Sequence, residues 1–312
     1  MKTKYIALAF AAMMTGMMFT ACQKDDNKPN DNNGGNGGNG GSPAASVGGF
    51  REDGASNALF TVAEGRQVRF SRGNLQYQAS TGTWRFAENQ YDCIGMGNQG
   101  ASETYDGWID NFSWGTSGWE SGATTYQPWQ LTALPWDGNY PGGSADNDLT
   151  GDYAEADWAW HNAISNGGNQ THKWRTLTGA EWMYLTETRP DAAAKCGLAT
   201  VGDMAGVVIL PDAWTAPSGL ALNTDCNAWD NNVYTLEQWG QMENAGALFL
   251  PATGYSTGWS SVSVYQFGES GGYWSASHYD NDESYCFFFN NEGFTTWNAT
   301  RTGGRSVRPV TE

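Results

Sequence analysis

The sequence is poor in charged residues, and it is especially poor in basic ones. Lysine and arginine together number 16, against 33 aspartates and glutamates, and charged residues make up 16% of the chain. The formal net charge is −17, so nucleic acid and anionic membrane surfaces are poor partners. With 14% aromatic residues the chain is nevertheless expected to fold, and its acidity is expected to serve solubility.

Histidine and cysteine are also scarce, which limits the chemistry available to the chain. The three histidines, His161, His172 and His278, stand at no zinc-ligand spacing from a cysteine. They accompany no nucleophile motif, so a Ser/His/Asp enzyme is not indicated. The five cysteines form no CxxC pair. Cys196 with Cys226 is the first candidate for a disulfide, and free buried thiols are the alternative.

Residues 1–21 resemble the signal peptide of a bacterial lipoprotein. Lys2 and Lys4 precede an apolar run that is too short for a membrane span and ends in FTAC. This ending resembles a lipobox, which makes Cys22 the lipidated residue; ordinary secretion is the alternative. The QKDDN that follows resembles the export signal of Bacteroidetes surface lipoproteins. We therefore expect a protein held in the outer membrane by its lipid alone and facing the cell exterior.

Residues 22–49 are expected to form the lipid anchor and a flexible tether. The segment consists largely of Asn, Asp, Gly and Pro and contains NNGGNGGNGG, which offers nothing apolar to bury. A coil of this length spans about 25–30 Å, enough to lift a domain clear of lipid headgroups. No comparable linker interrupts the rest of the chain, so residues 50–312 are expected to form a single domain.

Capping signals predict helices in the middle of the chain. Asp152 with Glu155, and Thr178 with Glu181, have the spacing of a capping box and precede helical patterns. Thr235 is expected to begin a third, shorter helix. Alternating patterns before and after this region predict strands, which we expect to pair around the helices. The predicted fold class is α+β.

Residues 98–150 are rich in Gly, Ser and Trp and show little periodicity. We expect them to wrap the domain as ordered loops, with large rings holding the glycine-rich backbone in place. Stacking of these rings on a sugar is the alternative. The tryptophans concerned are Trp108, Trp114, Trp119, Trp129 and Trp136.

Four segments in the second half of the chain resemble a known family. They are WRTLTGAEWMYL at 174–185, GALFLPATGY at 246–255, GGYWSAS at 271–277 and RSVRPV at 305–310. In this order they resemble the Fibrobacter succinogenes major paralogous domain group, which is similar to the formylglycine-generating-enzyme branch of the C-type-lectin-like fold. The resemblance covers most of residues 60–310. It implies a small twisted antiparallel sheet, two main helices, long ordered loops and chain ends that lie close together.

The chain departs from this family at the residues that carry its chemistry. Formylglycine-generating enzymes are copper-dependent oxidases that use a pair of C-terminal cysteines, and here only Cys286 stands in that region. C-type lectins hold sugar through calcium with WND and EPN or QPD motifs. Here residues 297–299 read WNA, and neither partner motif occurs. We therefore expect a binding module that is not an enzyme and has no cofactor.

One acidic run approximates a calcium-binding loop. Its spacing places carboxylates at several ligand positions of such a loop, although the helix-capping interpretation competes for the same side chains. The calcium candidates are Asp146, Asp148, Asp152 and Asp157.

The C-terminal hairpin, residues 271–310, carries the candidate binding surface. Aromatic and short polar side chains of the kind found in recognition loops stand here between two glycine-flanked apolar ends. Strand alternation places Tyr285, Phe287 and Phe289 in the core, and it places Cys286 and Phe288 outward. The candidate ligand contacts are His278, Tyr279, Asp280, Asn281, Asp282, Cys286, Phe288, Asn290, Asn291, Trp297 and Asn298.

The sequence thus predicts a surface lipoprotein that binds an extracellular protein or glycan without catalysis. Residues such as Asn, Asp, His, Tyr, Ser and Phe are also those that adenine-directed scrambling of an AAC codon produces. The hairpin could therefore belong to a variable protein of a diversity-generating retroelement, and a nearby template copy differing only at adenines would establish this. An extracellular glycan-active enzyme and a structural component of a surface assembly are the alternative functions.

Overall fold

The computed structural model describes residues 48–120, 123–131, 142–258 and 261–312. The predicted signal peptide, the lipidation site Cys22 and nearly all of the tether lie outside these ranges, as does Trp136. Within the ranges that are described, no helix combines the length and the apolar character needed to cross a membrane.

Most regular structure in these ranges is strand. The strands are β1 (Phe60–Ala63), β2 (Arg66–Phe70), β3 (Leu75–Gln78), β4 (Thr83–Phe86), β5 (Cys196–Val201), β6 (Met204–Ile209), β7 (Val233–Tyr234), β8 (Leu248–Pro251), β9 (Tyr255–Gly258), β10 (Val262–Tyr265), β11 (Ser270–His278), β12 (Glu283–Asn290), β13 (Gly293–Thr300) and β14 (Val310–Thr311). The α-helices are α1 (Trp158–His161), α2 (Gly179–Met183) and α3 (Leu236–Asn244). Short 3₁₀ turns lie between these elements, and a π-helical turn, Tyr184–Thr188, continues α2.

Strands from opposite ends of the sequence meet in one sheet. β1, β2 and β14 form an antiparallel sheet in the order β1-β2-β14, in which Val310 lies opposite Phe70. Arg175 and Val310 exchange two backbone hydrogen bonds, at 2.9 and 2.8 Å, which attach the segment before α2 to this sheet. The predicted pairing of early and late strands in an α+β fold is confirmed.

A second sheet, in the order β7-β5-β6-β8, packs against α3. The helix begins at Thr235 with a capping box: the Thr235 side chain accepts from the backbone of Gln238, whose side chain accepts from the backbone of Thr235. Trp239 and Met242 stand at helical spacing and are buried. The Trp239 ring lies 5.4 Å from that of Phe249 in β8. The predicted third helix is confirmed.

α2 begins with the predicted capping box. The hydroxyl of Thr178 accepts from the backbone N–H of Glu181, and the Glu181 carboxylate accepts from the backbone N–H of Thr178. Regular α-helix is shorter than the pattern predicted, because the chain continues as a π-helical turn up to Thr188. Trp182 is buried, and its ring stacks on Phe287 with centroids 5.1 Å apart. This contact fixes α2 on the C-terminal sheet.

The helix predicted to begin at Asp152 is not formed. Residues Gly151–Ala156 make a 3₁₀ turn, and the short helix α1 that follows is capped by Asp157. Asp157 Oδ1 accepts from Ala159 N at 3.0 Å and from Thr176 Oγ1 at 2.9 Å, and its Oδ2 accepts from Thr176 N at 2.7 Å. The N-cap role predicted for Asp152 is therefore wrong, because a contact with a distant segment selects Asp157 as the cap.

The cysteines do not pair as predicted. Cys196, the first residue of β5, carries a free thiol, so the predicted Cys196–Cys226 disulfide is wrong. Its side chain packs in an apolar cluster with Leu198 and Ile209. Burial there raises the pKa of the Cys196 thiol to about 11, which keeps it protonated at neutral pH. Cys93 also carries a free thiol.

Tryptophans of residues 98–150 pack on the domain where they are described. Trp114 is fully buried, and its indole N–H donates to the carbonyl of Ser275 at 2.8 Å. The guanidinium of Arg85 lies 3.7 Å from the centre of the Trp108 ring. Trp119 and Trp129 are half-buried against the same apolar cluster as Trp114. These contacts agree with rings that hold the loop backbone.

Candidate functional site

The candidate surface is built on an antiparallel sheet in the order β11-β12-β13. Cys286 of the central strand lies between Trp274 of β11 and Trp297 of β13. Phe288, two positions further along β12, lies opposite Gly272. Residues directly opposite one another, and residues two apart in a strand, share a face of a sheet. These side chains therefore lie on one face, which we call the outer face.

The other face of this sheet packs into the core of the domain. Phe287 and Phe289 of β12 are buried there as predicted. Tyr285, which was also predicted to lie in the core, is half-buried. The core-facing side chains of β12 therefore hold this central strand in place.

Cys286 does not belong to the ligand-binding surface, contrary to the prediction. Its side chain is 1% exposed, and burial raises the pKa of its thiol. The prediction assumed that strand alternation leaves one face of the hairpin in solvent. Instead the loop that contains Phe112 and Trp114 covers the middle of the outer face, and the Trp274 indole N–H donates to the Phe112 carbonyl at 2.7 Å.

Trp297 and Phe288 remain accessible on the outer face. The Trp297 side chain lies in the third strand and is 44% exposed, and Phe288 is half-buried. Arg305 crosses the face beside them, because Gly272 leaves room for it: a Cβ on Gly272 would lie 3.0 Å from Arg305 Cδ. The Arg305 guanidinium lies 5.1 Å from the centre of the Trp274 ring, close enough for a cation–π contact. The outer face thus presents two aromatic rings beside a positioned arginine.

The turn between β11 and β12 holds several other predicted contacts. The His278 ring and backbone both donate toward Asp148 Oδ1, at 2.8 and 3.0 Å. Asp280 Oδ1 accepts from the backbone N–H groups of Asp282 and Glu283 and so closes the turn. Tyr279, Asn281 and Asp282 are exposed. The Tyr279 ring packs edge-on against that of Tyr285, with centroids 5.2 Å apart. The side chains of His278 and Asp280 therefore shape the turn through their hydrogen bonds.

The remaining predicted contacts lie elsewhere. Asn290 and Asn291 form the turn at the opposite end of β12, and the length of that strand puts about 23 Å between the two turns. Asn298 lies on the same face as Thr296, not on the outer face, and its side chain donates to Glu283. The predicted contacts thus divide among two turns and the two faces of the sheet.

β13 forms the edge of this sheet in the described ranges. Glu187, from the π-helical turn after α2, reaches this edge, where its Oε1 accepts a hydrogen bond from Thr296 N at 2.9 Å. The Glu187 carboxylate therefore satisfies a backbone N–H group that points away from the sheet.

Arg301 connects the turn between β11 and β12 to the loops, a role that no pattern in the sequence predicts. Its side chain is fully buried. Nη1 donates to the Ser144 carbonyl at 2.9 Å, and Nη2 donates to the carbonyls of Ala145 and Asp280 at 2.9 and 2.8 Å. The guanidinium also lies 4.4 Å from the centre of the Trp114 ring. Arg301 therefore fixes the position of the turn that contains Asp280.

Three of the four calcium candidates are engaged with protein groups, and the fourth, Asp152, is exposed in the 3₁₀ turn before α1. Asp148 accepts from His278, and Asp157 is used by α1 and Thr176 as described above. Asp146 accepts from the Ser144 hydroxyl at 3.1 Å. Among the residues whose positions are described, no group of three or more His, Cys, Asp or Glu side chains is arranged to hold a metal ion.

Comparison with known protein families matches part of the chain. Residues 231–310 match the family described as "Domain of unknown function (DUF8237)". The matched segment runs from just before β7 to the start of β14, and it contains the whole of the β11-β12-β13 sheet. No curated protein and no solved structure matches the chain.

Proposed function

We propose that the protein is a non-catalytic binding module that recognises an extracellular protein or glycan through the outer face of its C-terminal sheet. The observation that supports this is the exposed Trp297 ring beside Phe288 and the stacked Arg305. Aromatic residues and arginine dominate binding energy at recognition surfaces, and a surface on rigid strands loses little entropy on binding.

We also propose a fold for this module and a place for it in the cell. The domain takes the C-type-lectin-like fold of the formylglycine-generating-enzyme branch, and Cys22 carries the lipid that holds the chain in the outer membrane, facing outward. The tether gives the outer face access to ligands beyond the lipid headgroups. Its binding needs no calcium and no copper.

A screen of the full-length protein in mild detergent against glycan and surface-protein arrays tests this function. The best ligand is then titrated against a Phe288→Ala/Trp297→Ala variant. Loss of two aromatic contacts at a recognition surface is expected to weaken binding at least about 30-fold. Binding is expected to survive EDTA.

A matched control replaces two exposed apolar side chains outside this sheet, in Val233→Ala/Leu236→Ala. This variant is expected to bind like the wild type. Unchanged affinity in the Phe288→Ala/Trp297→Ala variant would exclude the outer face as the site, and turnover on a panel of polysaccharides would contradict a non-catalytic role. A nearby template copy of the gene segment that differs only at adenines would show in addition that the residues of the turns and the outer face vary.

A further inference from the structure

A groove that is separate from the outer face runs along the side of α1. It consists of two adjoining cavities of about 380 and 560 Å³, each in the range of small-molecule sites. Arg66, Trp160 and Arg175 line both cavities, so they form the wall that the two share. We call this the Trp160 groove.

The Trp160 ring is held in place before any ligand arrives. Its backbone carbonyl accepts from the N–H of His172 at 2.7 Å, and the two rings lie 4.9 Å apart. Glu155 accepts hydrogen bonds from His161 and His172, at 2.7 and 2.9 Å, and thus fixes both histidines. His172 has a φ of +61°, in the left-handed region that costs energy for a residue with a side chain. A flat apolar ring is thus presented at a fixed angle.

The groove is locally basic although the protein is acidic. The larger cavity is lined by Arg66, Lys173 and Arg175, and by the single acid Glu312, in a chain of net charge −17. Arg175 is satisfied by Glu181, to which it donates at 2.8 and 2.9 Å. This leaves Arg66 and Lys173 as the cations that can meet a ligand.

Arg66 is the more available of the two. The ion pair of Lys173 with Asp53 measures 2.8 Å, whereas those of Arg66 with Glu181 and Glu312 measure 3.3 and 3.6 Å. The latter exceed the usual hydrogen-bond length, and the Arg66 side chain is 50% exposed. Its planar guanidinium can therefore reorient and bind a carboxylate through two parallel hydrogen bonds.

We propose that the Trp160 groove is a second binding site and takes a saccharide that carries a carboxylate. One apolar face of the sugar ring lies on the Trp160 indole, and the carboxylate pairs with Arg66. Hydroxyl and amide groups of Thr150, Thr178 and Gln170 line the groove around the ring and can exchange hydrogen bonds with sugar hydroxyls.

An acidic peptide fits the groove less well. One recurring way for an extended peptide to dock is to add a strand to an open backbone edge. Here the backbone of Arg175 is already paired with that of Val310, in both directions. The net charge of −17 also opposes a dense polyanion, whereas one carboxylate per ring can be accommodated.

Replacing Glu312 should change the affinity in the direction opposite to replacing Arg66. Its side chain is 60% exposed, and its carboxylate lies 3.6 Å from Arg66 and 2.9 Å from Arg175, where an incoming carboxylate would compete with it. Glu312→Gln should therefore bind the acidic saccharide several-fold more tightly, because the competing charge is removed. Arg66→Gln should bind it about tenfold more weakly, through the loss of a charge-assisted hydrogen bond.

The probe is a trimer of galacturonic acid, titrated calorimetrically into the full-length protein beside its fully methyl-esterified form. The acid should bind about tenfold more tightly than the ester, and Trp160→Ala should lose most of the affinity for both. If the alanine variant fails to fold, Trp160→Phe, which keeps a flat ring, takes its place in the titration. Arg72→Gln, which removes an arginine with a 3.6 Å ion pair to Glu88, is the matched control and should change nothing.

Three results would overturn this inference. They are equal affinity for acid and ester, no heat with either at millimolar concentration, and tight binding of triglutamate in place of the saccharide. The site is independent of the outer face, so the Phe288→Ala/Trp297→Ala variant should bind the trimer normally. A negative result for one proposed site therefore does not contradict the proposal for the other.

Discussion

Replacing Glu181 by glutamine is expected to destabilise the folded protein by about 3 kcal/mol. Glu181 is 4% exposed. Its Oε2 accepts from Thr178 N and from Arg175 Nη1, both at 2.8 Å, and its Oε1 accepts from Arg175 Nη2 at 2.9 Å. An amide in place of the carboxylate points one N–H₂ group at a guanidinium and removes the charge that Arg175 was buried against. The N-terminus of α2 and the groove wall are weakened together.

The magnitude follows from what remains around Arg175. Leaving one partner of a buried ion pair uncompensated costs about 3–5 kcal/mol. Glu312 stays 2.9 Å from Arg175 Nη2, but it is 60% exposed and screened by water. It therefore compensates only part of the charge, which places the expected loss at the lower end of that range.

Urea unfolding followed by tryptophan fluorescence measures this loss, and the melting temperature should fall by about 6–12 °C. Glu292→Gln is the matched control: Glu292 is exposed in the turn after β12, and its replacement should change stability by less than about 0.5 kcal/mol. A loss below about 1 kcal/mol for Glu181→Gln would refute the reasoning, since it would mean that Arg175 is adequately solvated without this carboxylate.

Trp182→Ala should cost about 3–5 kcal/mol in urea unfolding, because it removes the stack on Phe287 and leaves a cavity. Burial raises the pKa of Asp110 to about 6. The folded protein then binds this proton more tightly than the unfolded chain does. The free energy of unfolding should therefore fall by about 3 kcal/mol from about pH 4 to pH 7, and Asp110→Asn should remove that part of the slope. Cys196 and Cys286 are buried and should resist iodoacetamide at about pH 8 until urea is added, which peptide mass mapping can follow.

Local signals in the sequence predicted local structure correctly. The capping boxes at Thr178 and Thr235 each lie within one turn of helix, so neighbouring residues contain all the information that they need. The same spacing at Asp152 was misleading, because Thr176 supplies hydrogen bonds that make Asp157 the better cap. A cap chosen by a distant segment cannot be read from a local pattern.

The candidate site was predicted only in part. Alternation correctly put Phe287 inside and left Phe288 accessible, but it could not show that the loop containing Trp114 covers Cys286. Nor could it separate the two turns, because both contain the same short polar residues. Asn281 and Asn290 cannot belong to one surface patch, because the whole length of β12 lies between them.

The Trp160 groove was missed for a different reason. Its wall is assembled from β2, α1, the segment before α2 and the end of β14, so no single stretch of sequence contains it. A faint signal was present: Lys173 and Arg175 flank a tryptophan in a chain that has few basic residues. Such a local excess of positive charge in an acidic protein is worth testing as a ligand site.

The contact between Glu187 and Thr296 has a consequence for self-association. A free strand edge is a template on which a second chain can add, and a carboxylate fixed to an outward N–H places both a charge and a steric obstacle there. In the lipid-anchored form that we propose, many copies would share one plane, and the high local concentration would favour such additions. Glu187→Ala should therefore increase association through β13 relative to the wild type as the protein concentration rises, which sedimentation velocity would record.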